Sequence, residues 1–453
     1  RTVHKGDLTG IEIINRLSEQ IWARAIERLE EHRAVALIKD RAGQSVAGVL
    51  FIDMRSGELR LVRAKAVLLA AGGGPTMYRY HTPSGDKTCD GMAMALRAGL
   101  ALRDMEMVQF HPTGLLAGRD TRMTGTVLEE GLRGAGGYLL NGAGERFMFD
   151  YHAHGERATR DIVSRGIYGE MRAGRTTPNG GVYIEMKHLG PDKVARQFKG
   201  MVKRCADCGF DLAGGRVEVV PTAHYMMGGA VFNEDTSTEL HGLFMAGEDS
   251  GGVHGANRLG GNGVANSTVF GGIAGDNMAA FVATEGLREV DESALGSAAE
   301  ACLRPFERSG GDLNGLRLRL QDLMWDKVGI LREEAVLKQA IAELDTLGEE
   351  LEQTGLADSG RIFNLTWHDW LNLDSQILIS KTIARAALAR EDSRGAHFRE
   401  DHPDTRDLEN SRYTVVRMHG DELDFDTAPV DFCIVKPGES LIEDEAGAPP
   451  TAA

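Results

Sequence analysis

Cysteine, tryptophan and proline are scarce in this chain, at 5, 4 and 12 of 453 residues. Five scattered cysteines cannot form the disulfide framework of a small secreted scaffold, so an ordinary apolar core has to hold the chain together. Cys205 and Cys208 alone have the spacing of half a zinc site or a redox pair. No second pair of that spacing and no nearby histidine pair completes it, so both are read as reduced cysteines on a helical segment. No stretch approaches the ~18 apolar residues of a membrane span, and no charged-then-apolar opening marks a signal peptide. Positive charge is also in deficit: 51 Lys and Arg stand against 67 Asp and Glu, a net charge of −16. That balance argues against non-specific nucleic-acid binding, and it leaves room for a local basic pocket for an anionic small molecule. A further absence concerns dinucleotide binding. No Gly-x-Gly-x-x-Gly following a strand occurs before Ala66, so the usual phosphate-holding loop is not found there.

Glycine is abundant, at 57 residues, and its clusters at Gly72–Gly74, Gly134–Gly137 and Gly247–Gly275 point to ligand-approaching loops rather than to low complexity. The length suits two or three domains. Ile14, Leu17, Ile21, Ala25 and Leu29 repeat at helical spacing. Short β-like runs follow at Ala34–Ile38, Val46–Ile52 and Leu59–Val62, separated by hairpin turns at Ala42-Gly43 and Arg55-Ser56-Gly57. Ala66–Ala70 reads as a buried strand running into Gly72–Gly74, the place where an α/β sheet meets a dinucleotide. Thr88-Cys89-Asp90-Gly91 opens a helix, with Asp90 placed to cap it. The stretch from Thr284 to Asn410 is helical by pattern, with Leu316, Leu320, Leu323, Met324, Ile377, Leu378, Ile383 and Leu388 as core positions. Tyr413–Met418 and Phe432–Val435 read as strands, and the Ala446–Ala453 end as frayed.

The most informative stretch is Val253-His254-Gly255-Ala256-Asn257-Arg258-Leu259-Gly260-Gly261-Asn262. It sets a rigid guanidinium fork among glycines and amides, a combination suited to a carboxylate beside a flat group. Taken with FHPTG from Phe110, EGLRGAGGYLLN from Glu130, GERFM, TRDIVSR, VPTAHYMMGG, GLFMAGE and SRGAHFRED, it resembles the succinate dehydrogenase/fumarate reductase flavoprotein family, which includes L-aspartate oxidase. Eight motifs in the family's order, spread from Phe110 to Asp401, cover most of the chain.

The resemblance implies an α/β FAD-binding domain, Rossmann-like but incomplete, over residues 1–113 and 223–282. It also implies an inserted α+β capping domain at 114–222, a C-terminal helical domain at 284–410 and a tail at 411–453. FAD is the implied cofactor. Gly72, Gly73, Asp90, Gly247, Glu248, Asn262, Gly263 and Val264 match its binding positions, and Asp90 is equally a helix cap. Arg160 matches the family's proton donor and acceptor, with Glu130 and Arg133 as the relay that returns its proton. His111, His224 and Arg258 match the residues that clamp substrate carboxylates, and Thr113 and His254 stand beside them. Without the surrounding motif, each arginine would read as a surface ion pair and each histidine as a core or loop residue. The implied partners are a carboxylate substrate and an iron–sulfur electron-transfer subunit. The expected location is cytoplasmic, peripheral to the inner membrane where such a partner holds it. Neither nucleic acid nor direct membrane insertion is expected.

The chain departs from the family's pattern at several places, Ala71 for a usual threonine before Gly72-Gly73 among them. Glu129 stands where a threonine contacts a substrate carboxylate, Ala135 replaces an acid after Arg133-Gly134, and Gly263-Val264-Ala265 replaces Ser-Leu-Leu. A carboxylate at Glu129 repels a nearby anion, so the expected substrate is a relative of succinate or fumarate rather than either one. The missing glycine-rich loop predicts poor FAD retention by these residues alone. Two other readings remain open: an amino-acid oxidase of the aspartate-oxidase type, which peroxide formation in air would reveal, and a cofactor-free remnant, which would lack flavin absorption.

Overall fold

The computed structural model describes residues 9–118 and 121–439, and the Ala446–Ala453 end lies outside them. The first helix, α1 (Thr9–Ala23), carries Ile14, Leu17 and Ile21 on one stripe, yet none of its residues is buried among the described ones. It stops before Leu29 because Ala25 takes a left-handed φ of 51°. An antiparallel meander follows: β1 (His32–Lys39), β2 (Val46–Asp53) and β3 (Glu58–Arg63). Its turns close where the sequence suggests. Asp40 accepts backbone N–H bonds from Gln44 and Ser45 at 3.0 and 3.2 Å, and Gly57 supplies the positive φ of the second turn.

Strand β4 (Val67–Leu69) runs into the Gly72–Gly74 turn and leads to α2 (Asp90–Arg97). Asp90 does not cap that helix. The cap position is Cys89 at φ 58°, and the Asp90 carboxylate accepts instead from the Thr88 hydroxyl at 2.9 Å and from Arg33 Nη2 at 3.1 Å. A residue already in helical conformation points its side chain off the helix start, so these neighbours take it.

A short β5 (Leu102–Arg103) precedes β6 (Val108–Leu115), which is buried along its whole length. The chain then builds α3 (Gly131–Gly134), β7 (Tyr138–Leu140), α4 (Met148–Tyr151), α5 (Arg160–Arg172), β8 (Val182–Glu185), α6 (Pro191–Gln197) and α7 (Lys199–Ala206). It returns through β9 (Arg216–Met226). These strands form one antiparallel sheet in the order β6-β9-β8-β7. Leu132, Leu139, Met148, Val163, Ile167, Ile184, Val194 and Val217 pack into a core of its own against that sheet. Cys205 is buried on α7 and Cys208 follows the helix end.

After β10 (Gly229–Ala230), β11 (Leu243–Met245) pairs in parallel with β4, placing the Gly72–Gly74 and Gly247 turns side by side. Helix α8 (Asn262–Thr284) is apolar on most sides, yet buries only Asn266 and Ala274 among the described residues. It lies along β11, with Phe281 edge-on to Phe244 at 5.5 Å. The helices α9 (Glu292–Leu303), α10 (Leu313–Lys327), α11 (Glu334–Gln353) and α12 (Leu365–Ala389) then supply the largest core. Leu316, Leu320, Leu323, Met324, Ile377 and Ile383 are buried in it as their spacing predicts, and Leu378 and Leu388 pack at its margin.

The chain ends in a hairpin, β12 (Arg412–His419) and β13 (Glu422–Pro429), added to β5. The second strand is not Phe432–Val435, because Gly420 at φ 61° turns the chain back ten residues earlier than that reading requires. A buried ionic cluster fastens this region. Arg390 donates to Glu106, to Asp104 Oδ1 at 3.1 Å and to the Arg412 carbonyl at 3.0 Å, while Thr414 Oγ1 donates to Glu106 Oε2 at 2.7 Å. Burial, reinforced by Glu106, pushes the Asp104 carboxyl up to about 7. Within the SRGAHFRED stretch, Arg399 binds Asp401, and His397 Nδ1 lies 2.6 Å from Arg332 Nη1.

Candidate active site

The site forms where β6 and β9 run side by side, with Phe110 opposite Ala223 and His111 opposite Thr222. The ladder has register shifts on both sides of the Phe110–His111 pair, and such bulges re-aim side chains locally. His111 and His224 are thereby brought together, their rings 5.5 Å apart. The Thr113 N–H donates to His111 Nδ1 at 3.3 Å, which leaves Nε2 of a neutral ring as the proton-bearing nitrogen. His224 Nδ1 shares a 2.8 Å hydrogen bond with the Thr82 hydroxyl. Burial, then the neighbouring charges, holds both rings neutral. His111 lies well below the ordinary range, and His224 is lowered to about 3, with Arg258 and Arg160 adding to burial. Neutral imidazoles offer an N–H donor and carry no positive charge. Thr113 Oγ1 is occupied, donating to the Leu128 carbonyl at 2.8 Å.

Arg160 opens α5 and points back to the same place. Its Nε and Nη2 donate to a single oxygen, Glu130 Oε2, at 3.0 and 2.7 Å, and its Nη1 donates to Gln109 Oε1 at 3.0 Å. Glu130 precedes the one-turn α3, and Arg133, one turn on, lies 3.5 Å from its other oxygen. Arg133 is only 2% exposed, anchored by an Nη1 bond to the Glu156 carbonyl at 2.7 Å. Burial lowers Arg133 to about 10. Burial would raise Glu130, but Arg160 and then Arg133 outweigh it and hold the carboxyl below its usual value. Glu129 lies half-buried at the same turn, its Oε1 3.4 Å from where a Cβ on Gly131 would stand.

Arg258 is buried at 6% exposure, its guanidinium carbon 4.5 Å from the Tyr225 ring centroid. Its Nε has no hydrogen-bond partner, and Nη1 makes one long bond, 3.3 Å, to the Leu259 carbonyl. His254 Nε2 is 3.1 Å from the Tyr225 hydroxyl.

The positions matched to FAD gather on the adjoining shelf. Gly72 and Gly247 take positive φ, and the Gly72 N–H donates to Asp249 Oδ2 at 2.9 Å. A Cβ on Gly73 would come within 2.5 Å of Glu248 Oε1, which itself accepts from the Met226 N–H at 2.8 Å. Asn262, Gly263 and Val264 form the first turn of α8, whose N–H groups lack partners within the helix, as at any helix start. Asp249 Oδ1 is buried without a partner. Glycine turns, a helix start and an orphaned carboxylate oxygen together make a shelf fit for a flat polar cofactor. Asp90 is paired with Arg33 at 3.1 Å, and its neighbour Gly91 packs against Asp249 on this shelf.

Four residues of the site escaped the sequence reading. Gln109 bridges the two halves, its Nε2 donating to the Arg258 carbonyl at 2.7 Å and to Asn257 Oδ1 at 3.1 Å while its carbonyl receives Arg160. Its position two before His111 on one strand was an available signal, since alternate residues share a face. Tyr225 lies inside the VPTAHYMMGG motif beside His224, and Asn266 and Asp249 had no signal beyond lying close to motif residues. Their roles come from packing across elements distant in sequence.

A family profile described as an FAD binding domain matches residues 1–264, and one described as the fumarate reductase flavoprotein C-term matches residues 317–441. The chain is 39% identical over 407 residues to a subunit of the fumarate reductase (CoM/CoB) of Methanothermobacter marburgensis, covering 90% of this chain and 73% of that protein. It is 32% identical over 421 residues to L-aspartate oxidase of Nostoc sp., covering 89% and 71% respectively. Among solved structures, a variant of Escherichia coli quinol fumarate reductase is similar at a TM-score of 0.89 and 32% identity, over 97% of this chain and 78% of that one.

Proposed function

Because the chain belongs to the FAD-dependent succinate dehydrogenase/fumarate reductase flavoprotein family, we propose that it interconverts a C–C single and double bond next to a carboxylate, with Arg160 giving or taking the proton. The observation that carries this reading is the seat of Arg160, held by Glu130 and Gln109 with Arg133 behind. A free guanidinium is a poor acid or base. Set against a carboxylate that is itself backed by a second guanidinium, it has a route by which its proton is replaced.

FAD supplies the hydride acceptor or donor when bound, and Gly72, Gly73, Gly247, Glu248, Asn262, Gly263 and Val264 would hold it, with Asp249 behind them. The chain's own residues bind and orient the substrate. Three cations, Arg133, Arg160 and Arg258, stand against two carboxylates, Glu130 and the wall residue Glu129, and two neutral histidines, so the centre keeps a net positive charge suited to a carboxylate substrate. His111, His224 and Arg258 fix the carboxylates, and Arg160 reaches the carbon that exchanges a proton. Glu129 on the nearby wall selects a substituted relative of fumarate or succinate over the parent acids. An iron–sulfur subunit is the proposed electron partner. The likeness to L-aspartate oxidase favours one second reading, in which electrons pass to oxygen.

The test is turnover of fumarate, 2-methylfumarate and L-aspartate by the FAD-loaded full chain, with a reduced viologen dye or air as electron partner. Reduction of an unsaturated dicarboxylate, lost on Arg160→Gln by ~10²–10⁴-fold, is expected. Peroxide from L-aspartate would move the assignment to the oxidase. Equal turnover of fumarate and its methyl derivative would remove the role given to Glu129, and no turnover of any of the three would overturn the reading.

A further inference from the structure

We infer that Tyr225 is a positioning residue for the carboxylate clamp: its ring face holds the Arg258 guanidinium in a receptive, unpaired state ready for a substrate carboxylate. The inference rests on the function proposed above and goes beyond it in naming what sets the clamp's geometry. The two cations nearest the substrate differ in how they are satisfied. Arg160 has its donors on Glu130 and Gln109 and needs no ligand to order it. No carboxylate lies within ion-pair distance of Arg258 among the described residues, and its Nε is buried with nothing to bond. An unpaired cation at 6% exposure is costly unless something other than an anion offsets part of the loss of water. The face of Tyr225, 4.5 Å from the guanidinium carbon, is that group, because the ring's negative face attracts the cation without neutralising it.

The ring is itself fixed. Its hydroxyl lies 3.1 Å from His254 Nε2 and receives Asn266 Nδ2 at 3.3 Å, and the same Asn266 amide donates to the Gly247 carbonyl at 3.2 Å. Tyr225 therefore ties Arg258 to the turn that carries Glu248. Gly263 completes the device from above. A Cβ there would approach Tyr225 Cε2 to 3.0 Å and Arg258 Nη1 to 3.3 Å, so glycine leaves ring and cation in place where a larger residue would shift them by a few tenths of an ångström. A carboxylate paired to Arg258 in place of the ring would have satisfied the cation and closed the clamp to substrate.

The test is calorimetric titration of the FAD-loaded full chain with fumarate, 2-methylfumarate and L-aspartate, alongside steady-state kinetics. Tyr225→Leu should weaken the best-bound probe about tenfold or more, and raise KM by the same factor with kcat within about threefold. Tyr225→Phe, which keeps the ring, should stay within about threefold of wild type in Kd. A measurement on the wild type covers the case in which Tyr225→Leu does not fold: the Arg258 Nε–H resonance, assigned by its loss in Arg258→Lys, should be shifted upfield by the ring current. Unchanged affinity in Tyr225→Leu, or an unshifted Nε–H, overturns the inference while leaving the proposed function in place. Failure of the wild type to bind any of the three probes overturns both.

Discussion

Replacing Glu130 by glutamine separates the proton-relay role proposed for this carboxylate from any role in stability. The carboxylate receives two bonds from Arg160, at 2.7 and 3.0 Å, and faces Arg133 at 3.5 Å. An amide keeps one acceptor oxygen but turns an NH2 toward the other guanidinium, and it cannot take up the proton that Arg160 must exchange. Loss of a positioned acid–base group costs ~10²–10⁴-fold in rate, or about 3–5 kcal/mol of barrier. The effect on stability should be far smaller. The Glu130 side chain is 45% exposed, so solvent screens the ion pair and its contribution stays within ~1 kcal/mol. Binding should not suffer, because removing the Glu130 charge makes the site more positive toward a dianion. Three measurements on the FAD-loaded chain separate these effects: kcat with reduced viologen, calorimetric Kd for the dicarboxylate turned over, and the thermal midpoint. The expected pattern is a collapsed kcat, a Kd equal or tighter, and a midpoint shifted by a few degrees at most. A variant that keeps kcat within threefold of wild type would refute the relay, and one that loses rate only in proportion to lost folded protein would reduce Glu130 to a structural ion pair.

Arg390→Met should cost ~3–5 kcal/mol in urea unfolding, because it strands Asp104 and Glu106 inside the protein without their shared cation; an unchanged midpoint would show that the cluster is not buried as a unit. The Asp104 carboxyl is raised to about 7 by burial and by Glu106, so the folded state holds a proton that the unfolded chain releases. Its stability contribution is present at low pH and fades as pH rises through about 7, and Asp104→Asn should flatten that decline. Gly91→Ala would set a Cβ 2.3 Å from Asp249 Oδ1, and thermal melts should show a loss of ~1–3 kcal/mol from overpacking. Because His111 and His224 are both held neutral, affinity for a dicarboxylate should stay flat over roughly pH 6.5–8.5, where the ligand remains a dianion; a drop across that window would mean a clamp histidine is charged.

How far the sequence foretold this arrangement differs by residue type. The β1–β3 meander was legible because its turns carry Gly43, Gly57 and Asp40, whose local chemistry acts over a few residues. The long helices were legible from their apolar spacing. The Arg160–Glu130–Arg133 group was legible because its motifs were, although the three residues lie up to 30 apart in the chain. Gln109, Tyr225 and Asn266 were not, since each acts by contacting an element far away in sequence. Asp90 was misjudged as a cap for the same reason: a partner on β1, Arg33, decided where its carboxylate points. The second strand of the final hairpin was misplaced because alternation alone cannot see that Gly420 reverses the chain.

Both strands that carry the clamp histidines are shared beams. β6 and β9 emerge from beside the glycine turns and continue into the sheet that supports β8 and β7. His111 and His224 sit on these strands, and the helix that carries Arg160, α5, is fastened to β6 beside them: Ser164 Oγ donates to the Phe110 carbonyl at 3.1 Å and Arg160 Nη1 to Gln109 Oε1 at 3.0 Å. The guanidinium and the two imidazoles are thus set by one pair of strands, and a substitution that shifts β6 at Phe110 should move all three together instead of one at a time.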